Sequence, residues 1–80
     1  MNTKQAVANR IIYLCNEKNI AINYLANNSG VPPMTVYSIL NEKSQNPGIV
    51  TIKKLCDGLE ITLGEFFSTE EFDNLEQEIK

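Results

Sequence analysis

Eighty residues, 42% hydrophobic and 21% charged, are enough for one small globular domain and argue against wholesale disorder. Two cysteines and no histidine remove the usual zinc sites and the His-based catalytic dyads, and no apolar run approaches the roughly 18–20 residues that a bilayer span needs. The net charge of −3 is unevenly spread: residues 1–56 carry six basic and two acidic side chains, residues 57–80 one basic and eight acidic. A basic body able to approach phosphate is thus followed by an acidic tail kept away from it.

No stretch alternates apolar and polar residues for long enough to make a strand, whereas helical spacing recurs. Val7, Ile11 and Leu14 mark one face of a first helix over about 4–18, and Asn19 suits the left-handed position at which helices often end. Ile22, Leu25 and Ala26 mark a short second helix that runs to Ser29, and Gly30 supplies a positive φ at low steric cost. Val31-Pro32-Pro33 opens a third helix over about 33–41, since proline fits a first helical turn, and Val36, Ile39 and Leu40 form its apolar face. A polar loop follows, with Asn46-Pro47-Gly48 as turn chemistry. Ile52, Leu55, Cys56 and Leu59 mark a fourth helix over about 49–59, and a fifth, capped near Thr62, holds Leu63, Phe66 and Phe67. The tail from Glu70 places Phe72, Leu75 and Ile79 at helical spacing. The expected fold class is all-α: a compact five-helix domain over residues 1–69, then a short acidic C-terminal tail over 70–80, itself helical.

The informative segment is 20–41. Two short helices joined by a Gly-containing turn describe a helix-turn-helix. Leu25, Ala26, Gly30, Val36 and Ile39 sit where that unit needs them: Ala26 is small enough for a close helix crossing, Gly30 makes the turn, and Val36 and Ile39 lock the second helix onto the first.

The run INYLANNSGVPPMTVYSILN followed by NPGIVTIKKLCDGLEITLGEFF resembles the Cro/cI-type (XRE-like) helix-turn-helix family of DNA-binding regulators over roughly 7–67. The matching positions are Leu25-Ala26, Gly30-Val31, Thr35-Val36, Ile39, Asn41, Asn46-Pro47, Thr51, Leu55, Leu59, Leu63, Glu65 and Phe67. The resemblance implies a phage-repressor-type domain whose third helix enters the major groove, usually as a homodimer. The chain departs from the family pattern at three places. Ala21 and Ile22 stand where Ser/Thr and a phosphate-binding Gln are common, Pro32, Pro33 and Met34 where polar or basic residues open the third helix, and Glu60 where a Gly follows the fourth.

With Val36, Ile39 and Leu40 inward, about 100° per residue puts Met34, Ser38 and Asn41 opposite, Tyr37 beside them and Thr35 on the other flank. This outer face has no Arg, Lys or Gln, so the strongest base-edge contacts are missing. Met34 and the Tyr37 ring can press on thymine methyls, Ser38 can bond either way, and Asn41 can pair adenine. The expected DNA base contacts are therefore Met34, Tyr37, Ser38 and Asn41, with weak direct readout biased to A·T-rich sites and indirect readout supplying the rest. In family-like docking Pro33, Thr35, Lys43, Ser44, Gln45 and Asn46 lie along the phosphates. Arg10, Lys53 and Lys54 read as solvated helix-face charges rather than contacts.

Cys56 reads as a small core residue, and a bridge from Cys15 to Cys56 is not expected in a reducing compartment. Phe66, Phe67, Phe72, Leu75 and Ile79 are many apolar groups for one short region; they serve either as a dimer seam or as core, with the tail folded back on the first helix. The opening Met1-Asn2-Thr3-Lys4-Gln5 has no apolar signal region, so a cytoplasmic chain is expected. The leading functional expectation is a double-stranded DNA-binding transcriptional regulator, a homodimeric repressor on a short inverted repeat with recognition helices about 34–36 Å apart. The alternative is a protein-interaction or antitoxin-like module that uses the acidic tail on a basic partner. No cofactor, small-molecule ligand, metal or membrane is expected, and an enzyme reading has no histidine, phosphate loop or clustered carboxylates to stand on.

Overall fold

The computed structural model describes residues 2–41 and 46–79, and the regular structure among them is helical: α1 (Thr3–Lys18), α2 (Ile22–Ser29), α3 (Pro33–Leu40), α4 (Ile49–Leu59), α5 (Leu63–Phe67) and α6 (Glu70–Asp73). Each start has a local cause. The Asn2 side chain accepts from the Gln5 N–H at 2.8 Å, Pro33 opens α3, and Thr62 and Glu65 form a reciprocal capping box at α5.

Three helices stop in the same way. Asn19, Gly30 and Glu60 take left-handed φ values of 55°, 67° and 60° after α1, α2 and α4. Each time the next residue's N–H reaches back to a buried small residue: Ile20 to the Cys15 carbonyl, Val31 to Ala26 and Ile61 to Cys56, all at 3.0 Å. These are Schellman closures, and each is accompanied by an apolar residue turned into the core. Glycine takes this conformation without penalty; Glu60 does not, and holds it at a cost of about 1–2 kcal/mol.

The core draws on every helix from α1 to α5. Ile11, Leu25, Val36, Leu55, Leu59 and Phe66 are among its fully buried members. α2 packs on both α3 and α4, and α1 on α3. Where α4 crosses α2, the Asn28 side-chain amide donates to the Gly58 carbonyl at 3.0 Å.

The tail departs from the expected helix. One turn, Glu70–Asp73, is helical, and the backbone from Asn74 to Ile79 is not. Its described residues carry five carboxylates and no base to pair with them, and acidic groups at a helix C-terminus oppose the dipole. So short a helix needs tertiary support, and of the spaced stripe Phe72 is the member that finds full support. Its ring lies 4.9 Å from Phe67 and 6.1 Å from Phe66. Leu75 is half-buried, and Ile79 is 88% exposed. Phe66 is core, so it is not part of an open dimer seam, and half-buried Phe67 packs against it. The far end of the tail folds onto α1, where the Thr3 hydroxyl donates to the Glu78 carboxylate at 2.8 Å.

Candidate nucleic-acid interface

The turn between α2 and α3 is Gly30, Val31 and Pro32. Val31 is buried, so the turn is pinned from inside as well as closed by backbone bonds. The Pro32 carbonyl then accepts from Thr35 and Val36, starting α3. Val36 and Ile39, 0% and 4% exposed, anchor α3 to the core; Met34 and Tyr37 on the outer side are 79% and 50% exposed. Thr35 and Ser38 are exposed as well, and Pro33 is half-buried at the helix start. α3 therefore brings Met34, Thr35, Tyr37 and Ser38 together on a solvent-facing surface supported by a rigid inner face.

Asn41 is exposed, but the helical spacing that placed it ends at Leu40. Its backbone is extended, with φ −89° and ψ 134°, so it caps α3 instead of continuing it. Asn46 is exposed and lines a groove with Pro47, Ile49, Lys4 and Glu78. The acidic tail's end is thus beside Asn46, not held away from this side of the molecule. Lys43, Ser44 and Gln45, expected on the phosphates, lie outside the described residues.

The cations are distributed differently from the sequence expectation. Arg10 is not a solvated helix-face charge: its guanidinium donates to the Phe66 carbonyl at 2.7 Å and the Glu65 carbonyl at 2.8 Å, capping α5, and lies 5.5 Å over the Tyr13 ring. Lys53 pairs with Asp57 one turn on. Lys54 is exposed. Lys4, which the spacing argument passed over, donates to the Asn41 carbonyl at 2.7 Å. No local pattern points to either Lys4 or Arg10, because their partners are 37, 55 and 56 residues away.

Both cysteines are free and buried, and burial pushes both thiols upward; nearby Lys53 and Arg10 pull Cys56 partly back. A suppressed thiolate is a poor nucleophile and a poor metal ligand. Among the described residues, no group of His, Cys, Asp and Glu is placed to hold a metal ion, and no helix is long and apolar enough to cross a membrane.

Two short helices, a three-residue turn and an anchored second helix with an open outer face define a helix-turn-helix domain. Residues 10–71 match the family described as the Cro/C1-type HTH DNA-binding domain, and the chain belongs to that family. It is similar to the prophage Lp1 protein 11 seen in a crystal structure, with a TM-score of 0.83 and 29% identity, covering 94% of this chain and 100% of that one. No curated protein matches it.

Proposed function

We propose that this chain is a sequence-specific double-stranded DNA-binding transcriptional regulator, a repressor that acts by occupying its site, with α3 in the major groove. The observation that carries the reading is the two-sidedness of α3: Val36 and Ile39 fix it from within while Met34 and Tyr37 are held out in water. Met34, Tyr37 and Ser38 make the base contacts, and Asn41 reaches its base from the helix cap. Thr35, Lys43, Ser44, Gln45 and Asn46 meet phosphates. Pro33, which has no N–H to give, lies along the phosphates at the start of α3 and meets them by packing alone. The protein works as a homodimer on a short inverted repeat. Ile49 and Val50, 61% and 65% exposed at the start of α4, are the apolar groups that such a pairing would cover. The alternative, an interaction or antitoxin-like module that docks its acidic tail on a basic partner, draws on the exposed carboxylates of Glu70, Glu71, Asp73, Glu76 and Glu78, but it gives the two-sided α3 no role.

The test is selection of duplexes from a random pool, followed by titration of Met34→Ala and Tyr37→Ala on the recovered sequence. Each variant is expected to lose about tenfold in affinity, at the lower end of about 1–3 kcal/mol for a base contact, with an unchanged denaturation midpoint. A strong G·C-rich consensus overturns the readout, and recovery of no duplex overturns the function.

A further inference from the structure

We infer that Lys4 is a positioning residue of α3: its ammonium fixes the end of the helix that carries Tyr37, Ser38 and Asn41. The inference rests on α3 being the DNA-reading helix. α1, α2 and α4 close on left-handed caps, but α3 does not. Asn41 leaves it extended, its N–H bonded to the Ser38 carbonyl, and no basic side chain stands in the last turn. A helix end of this kind gathers partial negative charge on carbonyls without intrahelical donors, and a cation there is stabilising.

The chain supplies that cation from α1. Half-buried Lys4 donates to the Asn41 carbonyl at 2.7 Å, across a cleft between α1 and α3 lined also by Gln5, Asn9 and Leu40. Lys4 also lines the neighbouring groove that holds Glu78. A carboxylate there repels an incoming phosphate, so Lys4 acts on the helix end and not on the duplex. Its bond restrains the backbone of Asn41, and with it the place from which that side chain leaves the helix.

The test compares Lys4→Met, which keeps the apolar stem, with Lys4→Arg, which restores a donor. Two duplexes are used: one recovered by the wild-type protein from a random pool, and a scrambled duplex of the same length. Lys4→Met is expected to weaken binding to the recovered duplex about fivefold, the size of a solvent-accessible charged hydrogen bond. Its affinity for the scrambled duplex and its salt slope should be unchanged, and Lys4→Arg should recover most of the loss. In the DNA-free protein, amide exchange over 37–41 should quicken in Lys4→Met and return towards wild type in Lys4→Arg. Equal losses on both duplexes, with the salt slope falling by about 0.9, would make Lys4 a phosphate contact and overturn the inference. Unchanged affinity or unchanged exchange also overturns it. If the wild-type protein recovers no duplex, the DNA-reading function fails, and the exchange comparison still decides whether Lys4 holds the end of α3.

Discussion

Gly58→Ala adds one methyl group to α4 at its crossing with α2. A Cβ built there lies 2.0 Å from the Ser29 hydroxyl oxygen, 3.0 Å from the Ser29 Cβ and 3.3 Å from its Cα. In an unhindered helix the substitution stabilises by up to about 1 kcal/mol through backbone propensity. Here the Ser29 hydroxyl is the nearest atom and is itself buried, with little room to turn aside, while the contacts at 3.0 and 3.3 Å need a shift of only a few tenths of an ångström. Overpacking of this kind costs about 1–3 kcal/mol, so the net expectation is a loss of about 1–2 kcal/mol. Urea denaturation followed by far-UV circular dichroism reads it as a lower midpoint at constant m. The partner variant is Ser29→Ala. Its hydroxyl is buried and has no hydrogen-bond partner among the described residues, so its removal should be neutral or stabilising by up to about 1 kcal/mol. In that background the cost of Gly58→Ala should shrink to below about 0.5 kcal/mol, which gives a coupling of about 1 kcal/mol in the double-mutant cycle. A stabilised Gly58→Ala in the wild-type background, or an additive cycle, would refute the packing argument.

Other outcomes follow from the same geometry. Arg10→Ala removes both donors from the end of α5 and should cost about 1–2 kcal/mol, read as a melting temperature lower by about 4–8 °C per kcal/mol. Arg10→Lys should recover no more than part of this, since one ammonium lacks the fork that spans the two carbonyls. Glu60→Gly should raise the melting temperature, by relief of about 1 kcal/mol of left-handed strain, and Asn19→Gly should gain less because Asn tolerates the conformation better. Burial raises both thiols above their ordinary 9.0, so the folded chain holds those protons more tightly than the unfolded one. That contribution is complete below about pH 9 and is lost as pH rises past it. The denaturation midpoint should fall there, and less steeply in a Cys15→Ala/Cys56→Ala double variant.

The helices were legible because their inner faces repeat within a few residues. Val7, Ile11 and Leu14 on α1, and Ile52, Leu55 and Cys56 on α4, announce buried faces, and all six are buried. Two of the three stops were legible from chemistry, Asn19 and Gly30; the third was legible from the resemblance, which puts a Gly where Glu60 stands, although a charged residue itself gives no sign of a left-handed backbone. α3's two faces were legible up to Leu40. The expectation for Asn41 carried the helical angle one residue too far, past a cap with no sequence mark. Long-range polar contacts were not legible at all. Arg10 reaching α5, Lys4 reaching Asn41 and Thr3 reaching Glu78 depend on how helices are stacked, and periodicity within one helix is silent on that. The tail misled for a related reason: Phe72, Leu75 and Ile79 have helical spacing, but spacing supplies no surface to pack against and does not offset five carboxylates with no base beside them among the tail's described residues.

The placement of the cations constrains how such a chain can hold DNA. Arg10 is turned to the carbonyls of α5, Lys53 is paired with Asp57, and Lys4 is bonded at the end of α3. The outer face of α3 itself carries no charge. Counterion release by Lys and Arg is the usual source of duplex affinity, and of the five described cations three are engaged within the protein, leaving Lys18 and Lys54 exposed. In the proposed reading affinity is added in two ways. Met34 and Tyr37 supply apolar contact in the groove, which salt does not screen. Pairing of two copies doubles every contact and makes the second half-site an intramolecular event. Under the proposed reading, a dimer on an inverted repeat adds the second groove and the second set of phosphates that a single protomer lacks.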